Sequence, residues 1–335
     1  MILNFPPTSM IDLSRNENGH TYTAAFLSDV TAGLSQEQKK LSSRYFYDAT
    51  GSRLFQQIMN LPEYYLTRCE HELLNRHRQT MAAQFAAPGF FHLVDLGAGD
   101  ALKTKILLGE LHQQQHNFEY VPIDISGDAM QQLNDSLQQE LPAVEVQAVV
   151  GEYLQALDWL QENKPARKVV LFLGSNIGNF EPAEGIAFLK SIRSSLRKGD
   201  MLLLGVDLRK DPGTILRAYD DAAGVTAAFN LNLLHRINRE LGGNFEVDKF
   251  RHYALYNPQE GVMQSFLISQ EEQQVYLEAA GKEFHFQAYE AIHTESSHKY
   301  TLQQVKEIGQ SCGFRTKHVY LDQQGYFADV LFSAA

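Results

Sequence analysis

The sequence predicts an α/β fold: a Rossmann-like, mostly parallel open sheet with a second α+β lobe. Two observations predict it. Between Phe91 and Leu208, short apolar runs alternate with helix-length segments, the signature of βαβ units. One of these runs, Leu93-Val94-Asp95-Leu96, stops at Gly97-Ala98-Gly99-Asp100, and a helical pattern from Lys103 to Leu111 starts behind it. A glycine turn between a buried strand and a helix lets the backbone approach a ligand closely.

Strands are expected at 91–96, 119–124, 144–150, 168–173 and 201–207, with helices between them. Before them, a helix is expected from Gly51 to Leu61, a break at Pro62-Glu63-Tyr64-Tyr65, and a helix from Arg68 to about Gln84. After Asp207 the alternation stops. Thr214 to Leu241 reads as helix with an interruption, ended by Gly242-Gly243. Strand-like runs follow near 250–256, 262–269 and 284–290. The tail reads as a helix over 301–311 and a hairpin of 317–321 and 326–332, turning through Asp322-Gln323-Gln324-Gly325. Five strands, an insertion, then a helix and hairpin is the order of a class I methyltransferase-type Rossmann-like sheet. The expected division is 68–208 with 298–335 as cofactor domain, and 1–67 with 209–297 as substrate lobe.

Composition narrows the function. The chain has 335 residues, 44% of them hydrophobic, with 20 Phe and 15 Tyr, enough for a sizeable core. A formal net charge of −11 argues against a nucleic-acid partner, because phosphate neutralisation needs a basic face. Cys69 and Cys312 make no disulfide framework or metal site. The opening Met1-Ile2-Leu3-Asn4-Phe5-Pro6-Pro7 lacks the charged and apolar regions of a signal peptide. No apolar run approaches membrane-spanning length. The expectation is a cytoplasmic monomer acting on a small molecule, with no membrane partner. His112 and His116 have the i, i+4 spacing of metal ligands but lie among glutamines, so no metal is expected.

Gly97 and Gly99 suit a ligand lying against bare backbone. The sixth position of the glycine pattern is Leu102, where a dinucleotide oxidoreductase needs a third glycine; this favours S-adenosylmethionine over NAD. Asp124, ending the strand Tyr120-Val121-Pro122-Ile123-Asp124, is the candidate for the two ribose hydroxyls. Glu152 can accept from an adenine amino group, and Tyr153 can lie against the ring. Lys103, one turn into the first helix, can reach the cofactor carboxylate.

Several runs together resemble the ergothioneine-pathway histidine N-alpha-methyltransferases. They are Tyr45-Phe46-Tyr47-Asp48-Ala49-Thr50-Gly51-Ser52, Leu61-Pro62-Glu63-Tyr64-Tyr65-Leu66-Thr67-Arg68 and Leu173-Gly174-Ser175-Asn176-Ile177-Gly178-Asn179-Phe180. Further on come Arg217-Ala218-Tyr219-Asp220-Asp221-Ala222 and His293-Thr294-Glu295-Ser296-Ser297. The resemblance covers nearly the whole chain from about Ser43. It implies a two-domain enzyme that methylates an amino-acid α-amine up to the trimethylammonium betaine, leaving S-adenosylhomocysteine.

Carried over by position, the cofactor contacts fall on Tyr47, Gly97, Lys103, Asp124 and the Glu152-Tyr153 pair, where the family more often shows Asp-Phe. The amino-acid contacts fall on Tyr64, Gly174, Asn179, Tyr219, Glu295 and Ser297. Asn179 and Tyr219 would hold the substrate carboxylate, while Glu295 and Ser297 would read its side chain. Tyr47, Tyr64 and Asn179 are the expected catalytic residues, the two phenols as proton acceptors. Two positions depart from the histidine pattern. Asn176 stands where a threonine is usual, and Ser265 stands where a methionine lies beside the imidazole, unless Met263 fills that place by a shift of register. Ser265 opens the alternative of another aromatic amino acid as substrate. On an extended strand, Glu295 and Ser297 would share a face with His293, while His298 points the other way.

Overall fold

The computed structural model describes residues 9–13, 22–86 and 89–335; Met1 to Thr8, read above for a targeting signal, lie outside them. The chain opens with β1 (Ser9–Asp12), α1 (Tyr22–Leu34), α2 (Ala49–Met59) and α3 (Tyr65–Phe85). Then come β2 (Phe91–Leu96), α4 (Thr104–Gln113), β3 (Phe118–Asp124), α5 (Gly127–Glu140), β4 (Glu145–Val150) and α6 (Tyr153–Asn163). They are followed by β5 (Arg167–Phe172), α7 (Pro182–Ser195), β6 (Met201–Asp207), α8 (Pro212–Tyr219) and α9 (Val225–Leu241). The last elements are β7 (Phe250–Asn257), β8 (Val262–Ser269), β9 (Gln273–Leu277), β10 (Lys282–Phe286), β11 (Ala291–His298), α10 (Leu302–Ser311), β12 (Phe314–Leu321) and β13 (Phe327–Ala334). Two compact units result, one of residues 1–16, 68–208 and 300–335, the other of 17–67 and 209–299.

The first unit is built on an eight-stranded sheet in the order β1-β4-β3-β2-β5-β6-β13-β12. The first six run parallel. β13 is antiparallel to β6, and β12 to β13, as the expected hairpin requires. Every residue of β2 and β6 is buried, so both read as continuous apolar runs rather than alternating ones. Val94, Val121, Val170, Leu202 and Val330 meet in one core across the sheet.

One segment differs from the expected division. Ser9–Asp12, assigned from sequence to the second lobe, pairs parallel with β4 at the sheet edge. Four residues with polar ends carry no period that announces a strand, and their pairing covers an otherwise open edge. At the other end of the parallel strands, the Tyr300 N–H donates to the Asp207 carbonyl at 3.0 Å and Leu208 bridges Tyr300. The insertion therefore leaves and rejoins the sheet at one point.

The second unit holds a three-stranded antiparallel sheet, β11-β8-β7, and the ribbon β10-β9, with α1, α2, α8 and α9. The helix expected over 214–241 is two helices. Asp211 caps α8 by accepting from the Thr214 N–H at 2.7 Å, with Pro212 in the first turn. Asp221 starts α9, accepting from the N–H groups of Val225 and Thr226 at 2.9 and 2.8 Å, behind Gly224 at φ +73°. The strand expected at 284–290 ends at Phe286. A turn follows in which Glu290 accepts from the Gln287 N–H at 2.8 Å and Tyr289 takes φ +67°, and β11 begins beyond it. β9 was not foreseen, because its Gln273-Gln274 start behind two glutamates hides the burial alternation.

Candidate active site

In the first unit, the loop after β2 has the geometry that its glycines suggest. Gly97 and Gly99 take φ of +76° and +54°, a region that favours glycine. The Gly97 and Ala98 N–H groups donate to the Ile123 carbonyl at 2.8 and 3.1 Å, which ties the loop to the end of β3. A Cβ on Gly97 would lie 2.7 Å from the Tyr153 hydroxyl and 3.3 Å from the Asn176 amide nitrogen. One on Gly174 (φ +75°) would lie 3.1 Å from the Lys103 ammonium and 3.4 Å from the Asn176 amide oxygen. Gly97, Tyr153, Lys103, Gly174 and Asn176 therefore converge beyond the ends of β2 and β5.

Asp124 ends β3 with both carboxylate oxygens oriented. One accepts from the Gly99 N–H and the other from the Ser126 N–H, each at 3.0 Å. Burial raises its pKa against the pull of these donors. The side chain of Tyr153 packs against Phe172 and Phe188, with ring centroids 5.6 and 5.4 Å away. Its half-buried ring thus rests on the core, with the hydroxyl end beside Gly97. Glu152 is exposed at the start of α6, and Asn179 is exposed at the end of the short turn Asn176–Asn179. α4 ends at Gln113, so His116 lies beyond it, 3.0 Å from the Gln114 side chain. Among the described residues no His, Cys, Asp and Glu cluster could hold a metal ion.

Beneath the loop lies a set of buried charges that sequence reading missed. Glu70 forms an ion pair with Lys103 and accepts from the Gly174 N–H at 2.8 Å. Burial disfavours the Lys103 ammonium, but Glu70 more than offsets it and raises its pKa. Asp95 accepts from the Thr104 and Tyr120 hydroxyls at 2.6 and 2.9 Å, fastening the start of α4 to the sheet. Burial pushes its pKa up to about 6, with those two hydroxyls opposing. Asp329, fully buried on β13, has no donor to either carboxylate oxygen among the described residues. These partners are a hundred or more residues apart in places, and no local spacing announces them.

In the second unit, a row of aromatic rings connects the expected tyrosines. Tyr47 meets Phe55 and Phe229 edge-on at 5.5 and 5.7 Å. Tyr64 meets Phe55 at 6.2 Å and Tyr219 at 6.3 Å. Asp48 fixes the chain next to Tyr47: it caps α2 through the Gly51 N–H and accepts from Asn232 and Arg239, at 2.7, 2.8 and 2.6 Å. Burial raises the Asp48 pKa, and these three donors together bring it below its usual value.

The strand face expected to carry Glu295 and Ser297 is present on β11. Glu295 lies opposite Ser265 on β8, and Ser297 lies opposite Met263. Glu295 is half-buried, and desolvation pushes its pKa up to about 7 against the opposing charge of Lys299. The Ser297 hydroxyl is 2.9 Å from that of Tyr219, and the Lys299 ammonium donates to both, at 2.8 and 2.7 Å. Lys299, 1% exposed, was not foreseen from the sequence, where a lone lysine reads as solvated. His293 does not share this face. The register shifts between His293 and Glu295, so His293 lies opposite Phe266, which points away from Ser265.

The sheet order, with its glycine loop and strand-end carboxylate, defines a class I methyltransferase-type fold. A family model described as histidine-specific methyltransferase, SAM-dependent, matches residues 26–334. The histidine N-alpha-methyltransferase of Mycolicibacterium smegmatis is 40% identical over 299 residues, covering 89% of this chain and 92% of that protein. Ergothioneine biosynthesis protein 1 of Schizosaccharomyces pombe is 29% identical over 293 residues, 85% of this chain but 38% of that longer protein. The L-tryptophan methyltransferase trpM of Psilocybe serbica is 26% identical over 346 residues, covering 96% of each chain. The chain belongs to the family of histidine-specific, S-adenosylmethionine-dependent methyltransferases.

Proposed function

We propose that this protein methylates the α-amine of L-histidine with S-adenosylmethionine, through to the trimethylammonium betaine. The observation that carries the substrate assignment is Glu295. A half-buried carboxyl with a pKa of about 7, sharing a strand face with a hydroxyl, matches an imidazole N–H at neutral pH. Kinship with the Mycolicibacterium smegmatis enzyme supports the same substrate.

The first unit has the chemistry to hold the donor. Bare α-carbons at Gly97 and Gly174 let the Tyr153 hydroxyl, the Lys103 ammonium and the Asn176 amide close in against the loop. Asp124, already oriented by two N–H groups, keeps lone pairs for two ribose hydroxyls. Lys103 is a cation for the donor carboxylate, and Glu152 with the Tyr153 backbone N–H would read the adenine edge. Asn179, Gly174 and Asn176 would meet the amino acid's carboxylate and amine.

The bound donor supplies an electrophilic methyl group on a sulfonium. The protein's task is to present a neutral nitrogen in line with it, and such positioning is worth several kcal/mol of barrier. A free α-amine has a pKa of about 7.7–8.0, so no strong base is needed. The phenols of Tyr47 and Tyr64 can accept the amine hydrogen and pass the proton to water. Counted from the ammonium form, each round loses one proton to free the nitrogen lone pair, then breaks one C–S bond and forms one C–N bond, leaving the methylated nitrogen cationic. Aromatic faces at Tyr47, Tyr64 and Phe229 favour that cation.

A second reading keeps the reaction and changes the side chain. Ser265 opposite Glu295 leaves more room than a methionine, and trpM shows that the family extends to a protein named for tryptophan. We also read the protein as a cytoplasmic monomer without a nucleic-acid partner, consistent with its charge of −11. Among the described residues, no helix is long and apolar enough to cross a membrane. Incubation with labelled S-adenosylmethionine and histidine tests the assignment; histidine left unlabelled while tryptophan accepts label would favour the second reading.

A further inference from the structure

The face that carries Glu295 and Ser297 continues to Lys299, whose N–H donates to the Gly261 carbonyl at 2.7 Å and so extends the pairing. At i, i+2 and i+4 the three side chains fall on one side. The Lys299 ammonium lies 4.6 Å from the centroid of the Tyr219 ring and donates to both hydroxyls. An ammonium only donates, so both hydroxyl oxygens must accept from it. The two oxygens share one of their own hydrogens across 2.9 Å, and the other is directed away from the cation. Such a trio meets a ligand as donor and positive charge.

We propose that Lys299 is a positioning residue for substrate recognition: it fixes the Tyr219–Ser297 hydroxyl pair as a single donor and keeps Glu295 an anion that accepts the imidazole N–H. The inference rests on the amino-acid reading above. On the sheet face of Glu295, β8 brings Met263 and Ser265 and β7 brings His252, Ala254 and Tyr256; α8 brings Tyr219 to Ser297, and α9 brings Asn230, which accepts from the neighbouring Thr294 hydroxyl at 2.8 Å. Burial lowers the His252 pKa, against Asp220 and Asp221, and so favours its neutral form. That leaves Lys299 as the charge that opposes the burial of Glu295.

The test is the pH dependence of kcat/KM for histidine in the wild type, Lys299→Met, Lys299→Arg and Glu295→Gln. The substrate's own ionisations are common to all four and cancel in the ratios. Loss of the cation in Lys299→Met should move the acid limb upward by about one pH unit or more. KM at neutral pH should rise about tenfold with it, while affinity for S-adenosylhomocysteine holds. Lys299→Arg should keep the wild-type limb. In a Glu295→Gln background, Lys299→Met should cause no further shift. If Lys299→Met is insoluble, Lys299→Gln keeps the amide donors without the charge and should shift equally. A folded neutral variant with the wild-type limb overturns the proposal, whereas a wild type that methylates no amino acid overturns the functional reading instead.

Discussion

Ser265 stands directly opposite Glu295 across the β8–β11 ladder, while Met263 stands opposite Ser297. Side chains so paired have Cβ atoms about 4.5–5.5 Å apart, so any group that Glu295 touches is within reach of residue 265. Ser265 is 1% exposed, and its hydroxyl makes no hydrogen bond among the described residues. Ser265→Met fills that volume with an apolar, adaptable side chain. Turnover of histidine should persist and turnover of tryptophan should fall, measured side by side with labelled donor. Equal rates on tryptophan before and after the change would separate Ser265 from the substrate side chain.

Gly97→Ala should damage both stability and donor binding. The new Cβ meets the Tyr153 hydroxyl at 2.7 Å, at a φ of +76°. Strain of this kind costs about 1–3 kcal/mol, visible as a lower melting temperature. Calorimetry should show S-adenosylhomocysteine affinity reduced by an order of magnitude, and adding Tyr153→Phe should recover part of both losses. Unchanged binding would contradict the role given to the bare α-carbon.

Asp329→Asn should stabilise the protein, and more so at pH 8 than at pH 5. Burial, then the charge of Glu70 beside it and a hydrogen bond to that carboxylate, raise the Asp329 pKa well above its usual value against the opposing charge of Lys103. An acid whose folded pKa exceeds its unfolded one makes stability fall as pH rises above the unfolded value. The amide removes that penalty. Thermal melts at the two pH values give the difference, and an equal shift at both would argue that the carboxyl is not the cause.

Asn179→Ala should leave the melting temperature nearly unchanged, because Asn179 is exposed at the end of its turn. Affinity for histidine should drop at least tenfold while that for S-adenosylhomocysteine stays within a factor of two or so. Matching losses for both ligands would remove Asn179 from the substrate contacts.

What could be read from the sequence was what the chain encodes locally. β2 and β6 begin and end where their apolar runs do, because both strands are buried throughout and stop at a glycine or a polar turn. The loop at Gly97 and the carboxylate at Asp124 follow from the strand-turn-helix order. β1 and β9 stayed hidden because short polar-ended strands owe their existence to partners far along the chain. The same holds for Glu70, Asp329 and Lys299, whose meaning lies in burial and in contacts that no spacing reveals. His293 was placed on the wrong face because one unpaired residue at Thr294 resets the alternation.

The most direct test is to incubate the wild-type protein with S-adenosylmethionine and each standard amino acid, then resolve the products by mass. Histidine carrying one, two and finally three methyl groups on its α-nitrogen, with stoichiometric S-adenosylhomocysteine, is the predicted result. Histidine recovered unmodified while another amino acid gains methyl groups, or methylation confined to the imidazole, would contradict it.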